Sequence, residues 1–108
     1  MVIQPKVEIR WCGEWCTISA DNFGAMEHLT LSRYIMAEAL EALDKAGGEE
    51  DLTKRDARIE CARYQGAPDV IVITQTRFAH CIRLTLQQIR NLREILLGEI
   101  PKHWPDFF

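Results

Sequence analysis

Hydrophobic and polar positions alternate at the start of the chain, where Val7, Ile9 and Trp11 are separated by Glu8 and Arg10, and again from Trp15 to Ala20. A period of two marks a strand with one buried face. Gly13-Glu14 between the two runs makes a two-residue turn, which sets the register: Trp11 faces Cys16, Ile9 faces Ile18 and Val7 faces Ala20. One side of this hairpin is apolar. The other pairs Cys12 with Trp15, Arg10 with Thr17 and Glu8 with Ser19, a mixed face suited to solvent or a partner.

The period changes near residue 85. Thr85 followed three residues later by Gln88 is a capping box, with Leu84 and Ile89 at the positions of a hydrophobic staple. Leu86, Ile89, Leu92, Leu96 and Leu97 then recur along one helical face, and Gly98 offers the stop. An earlier helix is marked by Ile35, Met36, Ala39, Ala42, Leu43 and Ala46, with Arg33, Glu41 and Asp44 opposite and Gly47-Gly48 at the end. Strands are expected from Arg58 to Gln65, Val70 to Thr74 and Phe78 to Leu84, the first two joined by the turn Gly66-Ala67-Pro68-Asp69.

An ungapped shift of 55 positions places Ile73, Phe78, Leu84, Thr85 and Leu86 on Ile18, Phe23, Leu29, Thr30 and Leu31. Turn, strand, cap and helix signals coincide with these identities, so the chain reads as an internal duplication. On that basis Phe23 to Leu29 is a third strand and Thr30 caps a helix from Leu31 to Ala46. The competing assignment is one long helix capped by Asp21 or Asn22 and running through Gly24 and Met26.

The expected fold is a single α+β domain, an antiparallel β-sheet with two helices on one face and a duplicated β-β-β-α order. Repeat one spans 6–47, a polar linker 48–56, repeat two 57–98 and an aromatic tail 99–108. Pro101 and Pro105 argue against regular helix in that tail. Trp104, Phe107 and Phe108 either fold back over the end of a helix or sheet, or dock a partner.

Composition narrows the class. With 108 residues, 47% hydrophobic and 27% charged, the chain can bury about two thirds of its unfolded surface without staples. It contains no apolar run near the length of a membrane span, and Met1-Val2-Ile3-Gln4-Pro5-Lys6 lacks the apolar region of an export signal. A cytoplasmic protein with four reduced cysteines is expected. The net charge of −3 hides an asymmetry, since residues 1–53 hold ten acids and four bases and residues 54–108 six acids and nine bases.

Catalytic and metal chemistry find little footing. Cys12 and Cys16 point to opposite faces of the hairpin, and in a continuous strand they are about 13 Å apart, too far to share zinc. His80 and Cys81 are adjacent on a strand and so face opposite ways. Glu27 is expected on the inner face, with Arg93 as candidate partner. No phosphate-binding glycine loop, paired-carboxylate motif or metalloprotease motif occurs, and neither metal nor cofactor is expected.

These exclusions leave a small non-enzymatic protein-binding module. Size and the lack of a catalytic constellation fit an inhibitor or immunity-type protein that occludes a protein partner. Trp15, the acidic face of the first helix at Glu41 and Asp44, and Trp104, Phe107 and Phe108 are the candidate contacts. An unpaired sheet edge also allows a homodimer. The alternative is a nucleic-acid-binding domain using Arg58, Arg63, Arg77 and Arg83 of the second half, which must act against the chain's overall negative charge.

Overall fold

The computed structural model describes residues 7–22, 25–48, 58–77 and 80–108, and its elements run β-β-β-α twice. Strands β1 (Val7–Cys12), β2 (Trp15–Asn22) and β3 (Ala25–Ser32) precede helix α1 (Arg33–Gly47). Strands β4 (Ile59–Tyr64), β5 (Ala67–Gln75) and β6 (His80–Thr85) precede helix α2 (Leu86–His103). The class is α+β, as the alternation requires. The strands divide between two antiparallel sheets, ordered β1-β2-β3 and β4-β5-β6, with β3 and β6 lying alongside each other. Both helices pack on one another and on the apolar faces of the strands.

The first hairpin has the register set by its turn: Val7 pairs with Ala20, Ile9 with Ile18 and Trp11 with Cys16. Gly13 supplies the left-handed backbone of that turn, with φ of 57°. Residues 25–32 are strand, so the long-helix alternative is excluded. Phe23, Phe78 and the polar linker from Glu49 to Asp56 lie outside the described residues.

The two halves do not superpose at a constant shift. Ile18 pairs with Leu29, eleven residues on, whereas Ile73 pairs with Ile82, nine residues on. Leu29 and Leu31 therefore correspond to Ile82 and Leu84, and Ser32 corresponds to Thr85 as the residue before its helix. The ungapped match of Thr30 with Thr85 is out of step by two. A two-residue slip keeps every side chain on its own face, so the ungapped match preserves the strand pattern despite being out of register. Thr30 is a strand residue whose hydroxyl lies 3.3 Å from that of Thr17, and it caps nothing. Helix α1 starts at Arg33 behind Ser32, which makes no side-chain cap bond.

At Thr85 the capping box forms in full: the hydroxyl accepts from the Gln88 backbone N–H at 3.2 Å, and the Gln88 side-chain Oε1 accepts from the Thr85 backbone N–H at 2.9 Å. Helix α2 then runs through Gly98 and Pro101 to His103, farther than the sequence signals allow. Its buried stripe is Gln88, Ile89, Leu92, Leu96 and Ile100, with Leu86 and Leu97 only partly covered. Ile100 and Trp104 sit one turn apart and are both buried, and the Trp104 N–H donates to the Ile100 carbonyl at 2.7 Å. Burying two large side chains is worth enough to offset the roughly 3 kcal/mol cost of a helical proline.

Candidate protein interface

Three segments meet at one end of the molecule. Trp104 is 3% exposed, and its indole N–H donates to the Gly13 carbonyl in the β1–β2 turn at 2.7 Å. Its ring meets Trp11 edge-on at 5.0 Å, and Trp11 stacks flat on His103 at 4.5 Å. Phe107 follows at 5.8 Å from Trp104, and Phe108 packs edge-on against Phe107 at 5.0 Å. The start of α1 is tied in as well: the Arg33 N–H donates to the Glu14 carbonyl at 2.8 Å, the Arg33 guanidinium pairs with Asp106 at 3.1 Å, and the Tyr34 hydroxyl donates to the Glu14 carboxylate at 3.3 Å.

This packing sorts the aromatic candidates. Trp104 is an internal anchor and Phe107 is half-buried, so the tail folds back over the sheet end. Phe108 is 72% exposed, Tyr34 71% and Trp15 44%. Trp15 pairs across the sheet with Cys12 and Ser32, two residues before Tyr34. Tyr34 was not among the sequence candidates. Its place on the polar side of the α1 stripe, beside the last residues of β3, was the available signal.

The acidic helix face carries its own counter-charges. Glu41 pairs with Lys45 at 3.0 Å, Asp44 with Arg93 at 3.6 Å and Glu38 with Arg58 at 3.8 Å. Arg93 thus sits by Asp44 instead of Glu27. The partner of Glu27 is Arg83, whose Nε lies 3.2 and 3.1 Å from the two carboxylate oxygens. The Arg83 backbone N–H donates to the same carboxylate at 3.0 Å, and the guanidinium lies 5.4 Å from the centre of the Tyr64 ring. Hydrogen bonding to Glu27, then its charge, raises the Arg83 pKa above the ordinary arginine value. Of the four arginines that could meet nucleic acid, Arg83 therefore pairs with Glu27 and Arg58 faces Glu38, and Arg58, Arg63 and Arg77 all lie at the surface.

The outer face of the first sheet holds a serine–histidine contact, Ser19 Oγ to His28 Nδ1 at 2.8 Å. A nucleophile needs its histidine oriented by a third group. Here the acid in the same cross-strand row is Glu8, paired with Ser19 on the side away from His28. The order acid–serine–histidine does not form a relay, and the neighbouring Thr17–Thr30 contact makes the same kind of cross-strand bridge. Cys12 and Cys81 are exposed, and Cys16 and Cys61 are buried, where desolvation pushes their thiols up to about 12 and about 11. Among the described residues no three His, Cys, Asp or Glu side chains group as metal ligands, and no helix is long and apolar enough to cross a membrane.

Comparison of the chain with protein-family models, with curated proteins and with solved structures found no match.

Proposed function

We propose that this protein is a non-enzymatic module that binds a protein partner through its aromatic end and acts by occlusion, as an inhibitor or immunity-type protein does. The observation that carries this is the exposure of Trp15, Tyr34 and Phe108 on the three segments that meet at the β1–β2 turn, where buried Trp104 ties the tail to Gly13; Trp15 stands on the outer face of the hairpin and Trp104 on the inner. Exposed aromatics on a rigid support lose little conformational entropy on binding, and aromatic side chains are the commonest anchors of protein interfaces. Arg33, Glu14 and Asp106 supply a polar rim around them. A cytoplasmic setting belongs to the same proposal, supported by four free cysteines of which two are exposed.

Nucleic-acid binding has less support, since Arg83 is committed to Glu27 and Tyr64 and Arg58 faces Glu38. The test is capture of partners from native cells with wild-type bait and with a Trp15→Ala/Tyr34→Ala/Phe108→Ala bait, each with and without nuclease. The proposal expects a stoichiometric protein that survives nuclease and is lost from the triple variant. Material released by nuclease favours the arginines.

A further inference from the structure

Among the described residues β1 pairs only with β2, so its far side is a sheet edge. In a two-residue hairpin the closing pair, Cys12 with Trp15, exchanges both ladder bonds; alternation then turns the N–H and C=O groups of Val7, Ile9 and Trp11 toward that edge.

Two observations set this edge apart from the other outer strand, β4. Ile59 and Cys61 on the inner face of β4 are 5% and 4% exposed, whereas Val7, Ile9 and Trp11 are only partly buried, so the core is left open along β1. Strand β4 also carries a register break between Arg63 and Tyr64, the kind of irregularity that blunts an edge. Strand β1 pairs without a break over all six residues.

The sequence Val7-Glu8-Ile9-Arg10-Trp11 is self-complementary when read against itself in reverse. Centring a two-fold axis on Ile9 places Glu8 opposite Arg10 of a second copy, Arg10 opposite the other Glu8, and Val7 opposite Trp11, with Ile9 facing itself. Both charge pairs fall on the outer face and every apolar residue on the inner face. Opposite charges directly across a strand pair stabilise it, and like charges destabilise it. We infer that this chain forms a two-fold dimer by antiparallel pairing of β1 with β1 of a second copy, in the register centred on Ile9. The dimer joins the two first-half sheets into one and extends cover over the open apolar edge.

The experiment is sedimentation equilibrium over a range of micromolar concentrations on four full-length chains: wild type, Glu8→Arg, Arg10→Glu and the double exchange Glu8→Arg/Arg10→Glu. Wild type is expected at twice the chain mass. Each single variant turns two attractive pairs into two like-charge pairs and should weaken dimerisation about tenfold or more. The double exchange restores opposite charges at both positions and should recover the dimer, which a merely damaged fold would not do. A monomeric wild type overturns the proposal. So does a dimer indifferent to the single changes, or a double variant no better than the singles.

Discussion

The Glu27 carboxylate on β3 accepts the backbone N–H of Arg83 on β6, so a side chain stands where the carbonyl of a paired strand would be. The same carboxylate binds the Arg83 guanidinium, which in turn lies against Tyr64. At this seam the two halves are joined by a half-buried ion pair, whereas elsewhere strands are joined by ladders.

Replacing Glu27 with glutamine should therefore loosen the seam without unfolding the sheets. Amide exchange followed residue by residue should accelerate at Arg83 more than at Ile73 or Leu29. The loss of thermal stability should exceed that of Glu41→Gln, whose partner Lys45 is on the solvent side of α1.

The two helix starts predict opposite results from similar substitutions. Thr85→Ala removes a capping-box bond and should cost about 1 kcal/mol in a urea titration. Ser32→Ala removes no cap bond, so its effect should stay within about 0.5 kcal/mol.

How much of this was legible in the sequence differs by element. The first hairpin was legible to the residue, because a two-residue turn leaves one register and alternation confirms it. The capping box at Thr85 was legible for the same reason, being purely local chemistry. The end of α2 was not: Gly98 and Pro101 are local stop signals, overridden by burial of Ile100 and Trp104 against parts of the fold distant in sequence. The partner of Glu27 was equally hidden, since nothing local shows that β3 and β6 lie side by side. At the candidate interface, Trp15 was legible on the mixed face of the hairpin and the tail aromatics only as either cover or contact; the folded chain is what sorts buried Trp104 from exposed Phe108.

Trp104 should behave as a structural anchor. Trp104→Phe keeps a ring but leaves the Gly13 carbonyl without its indole donor, a loss of about 1 kcal/mol. Trp104→Ala should cost about 3–5 kcal/mol, both read from chemical denaturation.

The cysteines give a pH prediction. Desolvation holds the thiols of Cys16 and Cys61 up to about 12 and about 11, against an ordinary 9.0. Below about 9 both states keep these protons; above it the unfolded chain releases them while the folded chain retains them. Stability should fall as pH rises from 9.0 through about 11 and then about 12. At neutral pH a thiol reagent should modify Cys12 and Cys81 in the folded protein, with Cys16 and Cys61 reacting only after denaturant is added.

The central claim is that the aromatic end holds a protein partner. Its most direct measurement is quantitative capture from native cells with wild-type bait beside the folded Trp15→Ala/Tyr34→Ala/Phe108→Ala variant, both after nuclease treatment. The predicted result is a single protein recovered in near-equal amount with the wild type and reduced at least about tenfold with the variant. Equal recovery with both baits, or loss of all bound material on nuclease treatment, would contradict it.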